Sequence, residues 1–171
     1  MHRFISIFFG GIMPLIAIII GVVIAALDQL FKFLVTANLK PVGTVNVLGD
    51  VFKLTYVENR GVAFGMFQGM QWIFVVLTVA LLALLIIYMF KKRPKHKFFY
   101  FTSALIIGGG IGNLIDRVFY GYVIDYLSVS FFPPVCNFAD YCITVGVVLL
   151  AIYLLFFTDA VKNNKKELKN D

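Results

Sequence analysis

Six polar or ionisable residues lie within 28 positions of an otherwise strongly apolar part of the chain. They are Asn113, Asp116, Arg117, Asp125, Asn137 and Asp140. A charged side chain costs on the order of 2.5–3.5 kcal/mol at the centre of a bilayer helix, and such residues are therefore functional candidates in an apolar chain. Asp125 is the clearest of them, because it stands in the apolar run 122–127 with no local charge partner.

Asp125 and Asp140 have the residue type and the spacing of an acid pair. They are 15 residues apart, and Pro133-Pro134 between them stops any helix. If the flanking apolar segments are antiparallel helices, the two carboxyls can face each other where those helices end. Two facing carboxylates do not both ionise easily, so one of them holds a proton. The ionised acid can accept a proton from an attacking water while the protonated acid donates to a peptide carbonyl, which predicts peptide hydrolysis without a metal or cofactor.

Several of these residues also have purely structural interpretations. Asn137 fits a helix N-cap with Asp140 in the favourable first turn, and this arrangement needs no chemistry. Three other structural interpretations stay open: an Asp116–Arg117 ion pair, helix–helix hydrogen bonds from Asn113, and an ion pair between Asp28 and Lys32, four positions apart.

Other peptidase chemistries have few candidate residues. His2 and His96 lie in basic surroundings, and the sequence has no His-Glu-x-x-His helix, so a zinc peptidase is not indicated. No serine stands in a Gly-x-Ser-x-Gly setting. We therefore expect neither a metal site nor a cofactor.

The elements that must position the acids are membrane helices. Of the 171 residues, 61% are hydrophobic and only 14% are charged, whereas soluble domains carry about 25% charged residues. Four uncharged stretches have at least 18 residues, about the length that spans a bilayer as a helix. They predict an all-α integral membrane protein with four transmembrane helices, at about residues 13–34, 71–90, 98–118 and 137–157.

The segment between the first two spans is too polar to cross a bilayer. Val51–Val57 is rich in β-formers, and glycine and asparagine residues around it indicate turns. We predict a small extracytoplasmic β-rich platform at about 38–70, lying on the membrane surface. Residues 119–136 are expected to form a short outer loop, and residues 159–171 a disordered cytoplasmic tail of the single domain 1–171.

The distribution of basic residues predicts the orientation. Ten of the 15 lysines and arginines fall on one side of the four-span arrangement: one near the N-terminus, five in the 91–97 loop and four in the tail. By the positive-inside rule both termini are cytoplasmic, so the acids lie at the outer face. The net charge of +6 fits contact with membrane lipids, and no basic stripe with interleaved aromatics indicates nucleic-acid binding. Cys136 and Cys142 are expected to be free thiols, and a disulfide between them stays open as the alternative.

Five motifs, in order along about 26–157, resemble the prokaryotic lipoprotein signal peptidases, also called signal peptidase II. They are Asp28-Gln29-Leu30-Phe31-Lys32, Asn59-Arg60-Gly61-Val62-Ala63-Phe64-Gly65, Gly109-Gly110-Ile111-Gly112-Asn113-Leu114-Ile115-Asp116-Arg117, Val123-Ile124-Asp125-Tyr126 and Asn137-Phe138-Ala139-Asp140. Any one motif is weakly specific, whereas the ordered series is highly specific. The sequence departs from the family in having Tyr126 where Phe is common, a short loop between the acids and a longer N-terminus.

The resemblance implies an aspartic endopeptidase that removes signal peptides from diacylglyceryl-modified prolipoproteins, cutting just before the lipidated cysteine. It implies a monomer in the plasma membrane of a prokaryote, with Asp125 and Asp140 as the catalytic pair. The resemblance also implies a substrate-binding set, namely Asn59, Gly61, Asn113, Arg117 and Asn137. Structural support is implied for Asp28, Lys32 and Asp116, and Asp116 is implied to orient Arg117. Gly61, Ala63 and Gly65 are implied to keep the turn after Asn59 small. A small proton-coupled transporter is the alternative, although transporters usually carry their acids near the bilayer midplane and often contain repeats.

Overall fold

Four long helices dominate the computed structural model, which describes residues 2–61 and 70–157, with side chains from residue 11 onwards. Their bounds are α1 His2–Asn38, α2 Gln71–Lys92, α3 Lys97–Phe119 and α4 Phe138–Ile152, and α4 continues as a π-helical turn over Tyr153–Phe157. Each is long and apolar enough to cross a membrane. The prediction of four transmembrane helices is confirmed, and the chain is a multi-pass membrane protein. Helix α1 begins at His2 and ends at Asn38, so it is longer than the first predicted span at about residues 13–34.

Helix α3 is the central helix of the bundle. It packs against the other three helices and is mostly buried, whereas α2 exposes nearly all of its apolar surface. Glycines allow the close packing: a Cβ on Gly108 would lie 2.5 Å from the Cβ of Ile24 on α1, and a Cβ on Gly109 would lie 2.5 Å from the Ala139 carbonyl oxygen on α4. Small residues at such contacts are typical of helices that associate in membranes.

A four-stranded antiparallel sheet lies at the end of the bundle where α3 ends and α4 begins. Its strands are β1 Thr44–Leu48, β2 Phe52–Asn59, β3 Val123–Val129 and β4 Phe132–Cys136, in the order β1-β2-β3-β4. The central pairing of β2 with β3 aligns Asn59 with Val123 and Phe52 with Val129. The sheet therefore joins the segment after α1 to the segment after α3.

The predicted platform is only half of this sheet. Strands β1 and β2 fall within residues 38–70 as predicted, but the prediction that 119–136 is a plain loop is wrong, because this segment supplies β3 and β4. Pro133 and Pro134 lie in β4, which is an edge strand. An edge strand tolerates proline because half of its N–H groups have no neighbouring strand to bond.

Some predictions fall on residues outside the described ranges, namely the roles of Ala63 and Gly65 and the tail 159–171. Both cysteines are free thiols, as expected: Cys136 is half-buried and Cys142 is buried.

Candidate active site

The two candidate acids come from different elements that meet beneath the sheet. Asp125 lies in the middle of β3, and its side chain is almost fully buried, with 2% of its surface exposed. Asp140 lies in the first turn of α4 and is half-buried. The chain turns back through the β3–β4 hairpin, which brings the start of α4 under β3.

One residue, Asn137, contacts both carboxyl groups. Its side-chain Nδ2 donates to Asp125 Oδ1 at 2.7 Å, and its backbone N–H donates to Asp140 Oδ2 at 3.1 Å. A second amide continues the bridge, since Asn113 Nδ2 donates to Asp140 Oδ1 at 2.7 Å and Asn113 Oδ1 accepts from Asn137 Nδ2 at 3.0 Å. The structure therefore brings Asp125, Asp140, Asn113 and Asn137 into one hydrogen-bonded group.

Asn59, at the end of β2, completes the surroundings of Asp125. Its Nδ2 donates to Asp125 Oδ2 at 2.8 Å, so each carboxyl oxygen of Asp125 accepts from an amide. The Asn59 side chain is held in turn, because its Oδ1 accepts from the backbone N–H of Gly61 at 3.0 Å. The predicted site residues Asn59 and Gly61 are thus both at the site.

The environment of Asp125 favours its protonated form. Burial, followed by the nearby Asp140 carboxyl, raises the pKa of Asp125 from 3.8 to about 7. The hydrogen bonds from Asn59 and Asn137 oppose this rise, because amide donors stabilise the carboxylate. A carboxyl with a pKa near neutrality can hold or release a proton at physiological pH, as acid–base catalysis requires.

The capping interpretation of Asn137 is also confirmed. Its side-chain oxygen accepts from the backbone N–H of Asp140 at 2.9 Å, and the Asp140 carboxyl accepts from the backbone N–H of Asn137, which makes a reciprocal capping box. The structural role and the contact with Asp125 coexist, because Asn137 uses its oxygen for the cap and its nitrogen for Asp125. The cap fixes Asp140 at the helix start.

A buried charged cluster lies beside the amides. The Lys32 ammonium is 2.7 Å from Asp28 and 2.8 Å from Asp116, and all three side chains are almost fully buried. Lys32 also donates to Asn113 Oδ1 at 2.9 Å, which connects the cluster to the site. The predicted Asp28–Lys32 pair is confirmed, with Asp116 as a third member.

The cluster ties several elements together through backbone contacts. Asp28 Oδ1 accepts from the backbone N–H of Ala139 on α4 at 3.0 Å, and Asp116 Oδ2 accepts from that of Ile124 on β3 at 3.1 Å. Ala139 directly precedes Asp140 and Ile124 directly precedes Asp125, so the cluster fixes the backbone next to each candidate acid.

The expected pairing of Asp116 with Arg117 is wrong. The Asp116 carboxylate faces α1 and β3, and among the described side chains it forms its ion pair with Lys32. Arg117 instead donates from Nη1 to the Asn113 carbonyl oxygen at 3.2 Å, and its guanidinium carbon lies 6.0 Å from the centre of the Phe74 ring. The side chains of adjacent helical residues point about 100° apart, so Asp116 and Arg117 contact different parts of the molecule.

Gln29 has a role beside the site that the motif pattern did not predict. Its Nε2 donates to Asp116 Oδ1 at 3.0 Å and to the Gly112 carbonyl oxygen at 3.1 Å, which joins α1 to α3. The available signal was its helical spacing, because Gln29 lies three residues before Lys32 and shares its face. As for metals, the described residues contain no group of three or more His, Cys, Asp or Glu placed to hold an ion.

Comparison with known proteins identifies the family. A sequence model described as Signal peptidase (SPase) II matches residues 18–156. The lipoprotein signal peptidase of Clostridioides difficile strain 630 is 47% identical over 142 residues, covering 82% of this chain and 95% of that protein. That of Caldanaerobacter subterraneus subsp. tengcongensis is 44% identical over 146 residues, covering 85% and 99%.

A solved structure agrees with these relatives. A bacterial membrane enzyme determined by the in meso method at 2.3 Å resolution superposes with a TM-score of 0.75 at 31% identity, covering 83% of this chain and 88% of that one. The chain therefore belongs to the signal peptidase II family of membrane-embedded aspartic proteases.

Proposed function

We propose that this protein removes signal peptides from diacylglyceryl-modified prolipoproteins, cutting before the lipidated cysteine, with Asp125 and Asp140 as its catalytic pair. The observation that carries the proposal is the position of Asn137, which donates a hydrogen bond to each carboxyl group. Asp140 is near enough to raise the pKa of Asp125, and two coupled acids can share one proton, which allows acid and base catalysis in one step.

Asp125 is the member that holds the shared proton. It is the more buried of the two, and its pKa of about 7 keeps it protonated through the mildly acid range. Asp140 is then the base that accepts a proton from the attacking water, while Asp125 protonates the carbonyl oxygen of the scissile peptide. The tetrahedral intermediate collapses when Asp140 gives its proton to the amine of the lipidated cysteine and the C–N bond breaks. A hydroxyl of the intermediate returns its proton to Asp125 as the new carboxyl group forms, so the pair again holds one proton.

The amides and the arginine around the acids suit an extended substrate. Asn59, Asn113 and Asn137 present side-chain amides, and Arg117 presents a guanidinium that is held by a backbone carbonyl. Donors of this kind bind a peptide backbone whatever its side chains, so one site can accept varied signal sequences. Gly61 lies two residues after Asn59, and its lack of a side chain leaves room for the chain to pass.

We place the site at the outer face of a prokaryotic plasma membrane, with both termini in the cytoplasm. The α2–α3 loop and the helix ends beside it lie at the opposite end of the bundle from the sheet, and they carry Lys91, Lys92, Arg93, Lys95 and Lys97. The positive-inside rule puts that loop in the cytoplasm and the sheet on the other side.

The test is precursor cleavage in detergent by Asp125→Asn and Asp140→Asn beside the parent. Asparagine keeps the size of the side chain but cannot transfer the proton, so each change should lower turnover at least a thousandfold. A thermal melt near that of the parent would show that the variants are folded. A chelator should leave the parent's activity unchanged, because amide N–H groups occupy the positions around the carboxyls that a cation would need. Cleavage retained by either variant would falsify the catalytic pair.

A further inference from the structure

A cavity with aromatic walls lies on the back of the sheet, between strands β2 and β3 and the last turns of α1. Its volume is about 140 Å³. We call it the aromatic cavity, after four of its wall residues, Phe33, Tyr56, Tyr120 and Tyr122. Ile124 is also in its wall, and neighbouring strand residues such as Ile124 and Asp125 point to opposite faces. The aromatic cavity is therefore separate from the reaction site and from the small cavity beside Asp140.

The mouth of the aromatic cavity lies where the helix bundle meets the sheet. Phe33 on α1 and Tyr120 after α3 are 69% and 54% exposed, and they stand near the ends of two membrane helices. At that depth a bilayer presents its headgroups, and aromatic side chains are enriched there. The groups that surround the mouth in a membrane are therefore lipid headgroups.

The rings of the aromatic cavity suit a positive charge. Lys40 Nζ lies 5.2 Å from the centre of the Tyr56 ring, and the Arg60 guanidinium carbon lies 5.2 Å from that of the Tyr122 ring. Within residues 11–61 and 70–157, in contrast, no cationic side chain lies over Phe33 or Tyr120. Since cages of aromatic rings bind ammonium groups, the two rings at the mouth are free to receive a cation from outside the chain.

The charge behind the aromatic cavity favours the same kind of ligand. The buried cluster holds two carboxylates, Asp28 and Asp116, and one ammonium, so its net charge is −1 with both acids ionised. Lys32 reaches the cavity wall, but its ammonium is held by these carboxylates at 2.7 and 2.8 Å. A buried negative charge attracts a cation more strongly than the same charge in water does.

The rim of the aromatic cavity has the opposite sign. Lys40 Nζ is 3.0 Å from one oxygen of Glu58, and Arg60 Nη2 is 3.6 Å from the other, so two cations share a single carboxylate. The rim can therefore attract an anion while the interior attracts a cation. A ligand with an ammonium at its tip and a phosphate behind it meets opposite charge at both ends.

We propose that the aromatic cavity binds the ammonium of an ethanolamine phospholipid headgroup, with the phosphate of that lipid at the Lys40–Arg60 rim. The size agrees, because 140 Å³ has room for about four groups as large as a water molecule and the ethanolammonium arm has about three heavy atoms. A lipid bound there joins α1 to the back of β2 and β3, behind the cluster that holds Asn113.

The test is lipid binding by the detergent-solubilised protein, measured by native mass spectrometry. Phosphatidylethanolamine and phosphatidylglycerol with identical tails are compared, because they share the phosphate and differ in the ammonium. The parent should bind one phosphatidylethanolamine about fivefold or more tightly than phosphatidylglycerol. Phe33→Leu and Tyr120→Leu each remove a ring but keep an apolar side chain, and each should reduce this preference to about twofold or less.

Phe119→Leu is the matched control. Phe119 is 75% exposed at the same end of α3 but does not line the aromatic cavity, so its replacement should leave the preference unchanged. Equal affinity of the parent for the two lipids, or a preference that survives in both ring variants, would overturn the site. A ring variant that melts well below the parent is set aside for the other, because the two rings come from different helices. Cleavage is not measured, so the result is independent of the proposed function.

Discussion

At the scale of single residues, the two acids differ in environment although they share a chemistry. Asp125 is inside the sheet end of the molecule with an amide on each oxygen, whereas Asp140 belongs to a capping box and lines a cavity. An asymmetric pair has a defined place for its proton, and this separates the roles of acid and base.

The raised pKa of Asp125 predicts a pH dependence of stability. Between pH 3.8 and about 7 the folded chain keeps a proton on Asp125 that the unfolded chain has released. The unfolded state then binds fewer protons, so the stability contributed by this group falls as pH rises through that window and is level above it. Across the full window the contribution of Asp125 to the free energy of unfolding falls by on the order of 4 kcal/mol, at 1.36 kcal/mol per pKa unit.

Thermal melts of the parent and Asp125→Asn from pH 4 to 9 measure this dependence. The Tm of the variant minus the Tm of the parent should increase as pH rises towards 7 and should then stay constant. Acids that do not interact with Asp125 titrate alike in both proteins and cancel in the difference. A difference that does not vary with pH would mean that Asp125 ionises in the folded protein as it does in water.

At the scale of elements, close approach between α1 and α3 is what allows the charged cluster to form. A Cβ at Gly112 would lie 2.5 Å from Asp28 Oδ2. Gly112→Ala should therefore push Asp28 away from Lys32 and destabilise the protein by about 1–3 kcal/mol, as overpacking does. Gly11→Ala, at a helical site with nothing within 4 Å of the new Cβ, should be neutral or slightly stabilising. Melts of the two variants in detergent compare them directly, and equal Tm values would contradict the packing argument.

The elements also show what sequence reasoning can reach. The spans were predictable because a bilayer demands long uncharged helices, and the ends of α2 and α3 agree with prediction to within about two residues. The β3–β4 hairpin was missed because Pro133-Pro134 argues against a strand, and only the strand order shows that β4 is at an edge. The pairing of β2 with β3, which brings Asn59 to Asp125, joins residues 66 positions apart and leaves no local signal.

At the scale of the whole molecule, five helices and strands contribute polar groups to the site. Helices α1, α3 and α4 and strands β2 and β3 each contribute a side chain or backbone N–H to one connected polar network. Most of the remaining surface of α2 and α4 is apolar and faces outward, as suits helices surrounded by lipid. The polar network thus lies at one end of an otherwise apolar bundle.

Lys32 connects that network, so its removal should affect the whole molecule. Lys32→Met leaves Asp28 and Asp116 buried without their cation, and breaking such a pair typically costs about 3–5 kcal/mol. It also removes one of the two hydrogen bonds that Asn113 Oδ1 accepts, so the amide that holds Asp140 is less firmly oriented. Lys40→Met is the matched control, because the Lys40–Glu58 pair lies at the surface and an exposed pair contributes about 1 kcal/mol or less. Thermal melts should show a large loss of stability for Lys32→Met and a small loss for Lys40→Met.

The activity of Lys32→Met tests whether the cluster also orients the site. At a temperature where the variant remains folded, its precursor cleavage should still be at least tenfold slower than the parent's. Turnover equal to the parent's would mean that the cluster supports the fold without orienting the site.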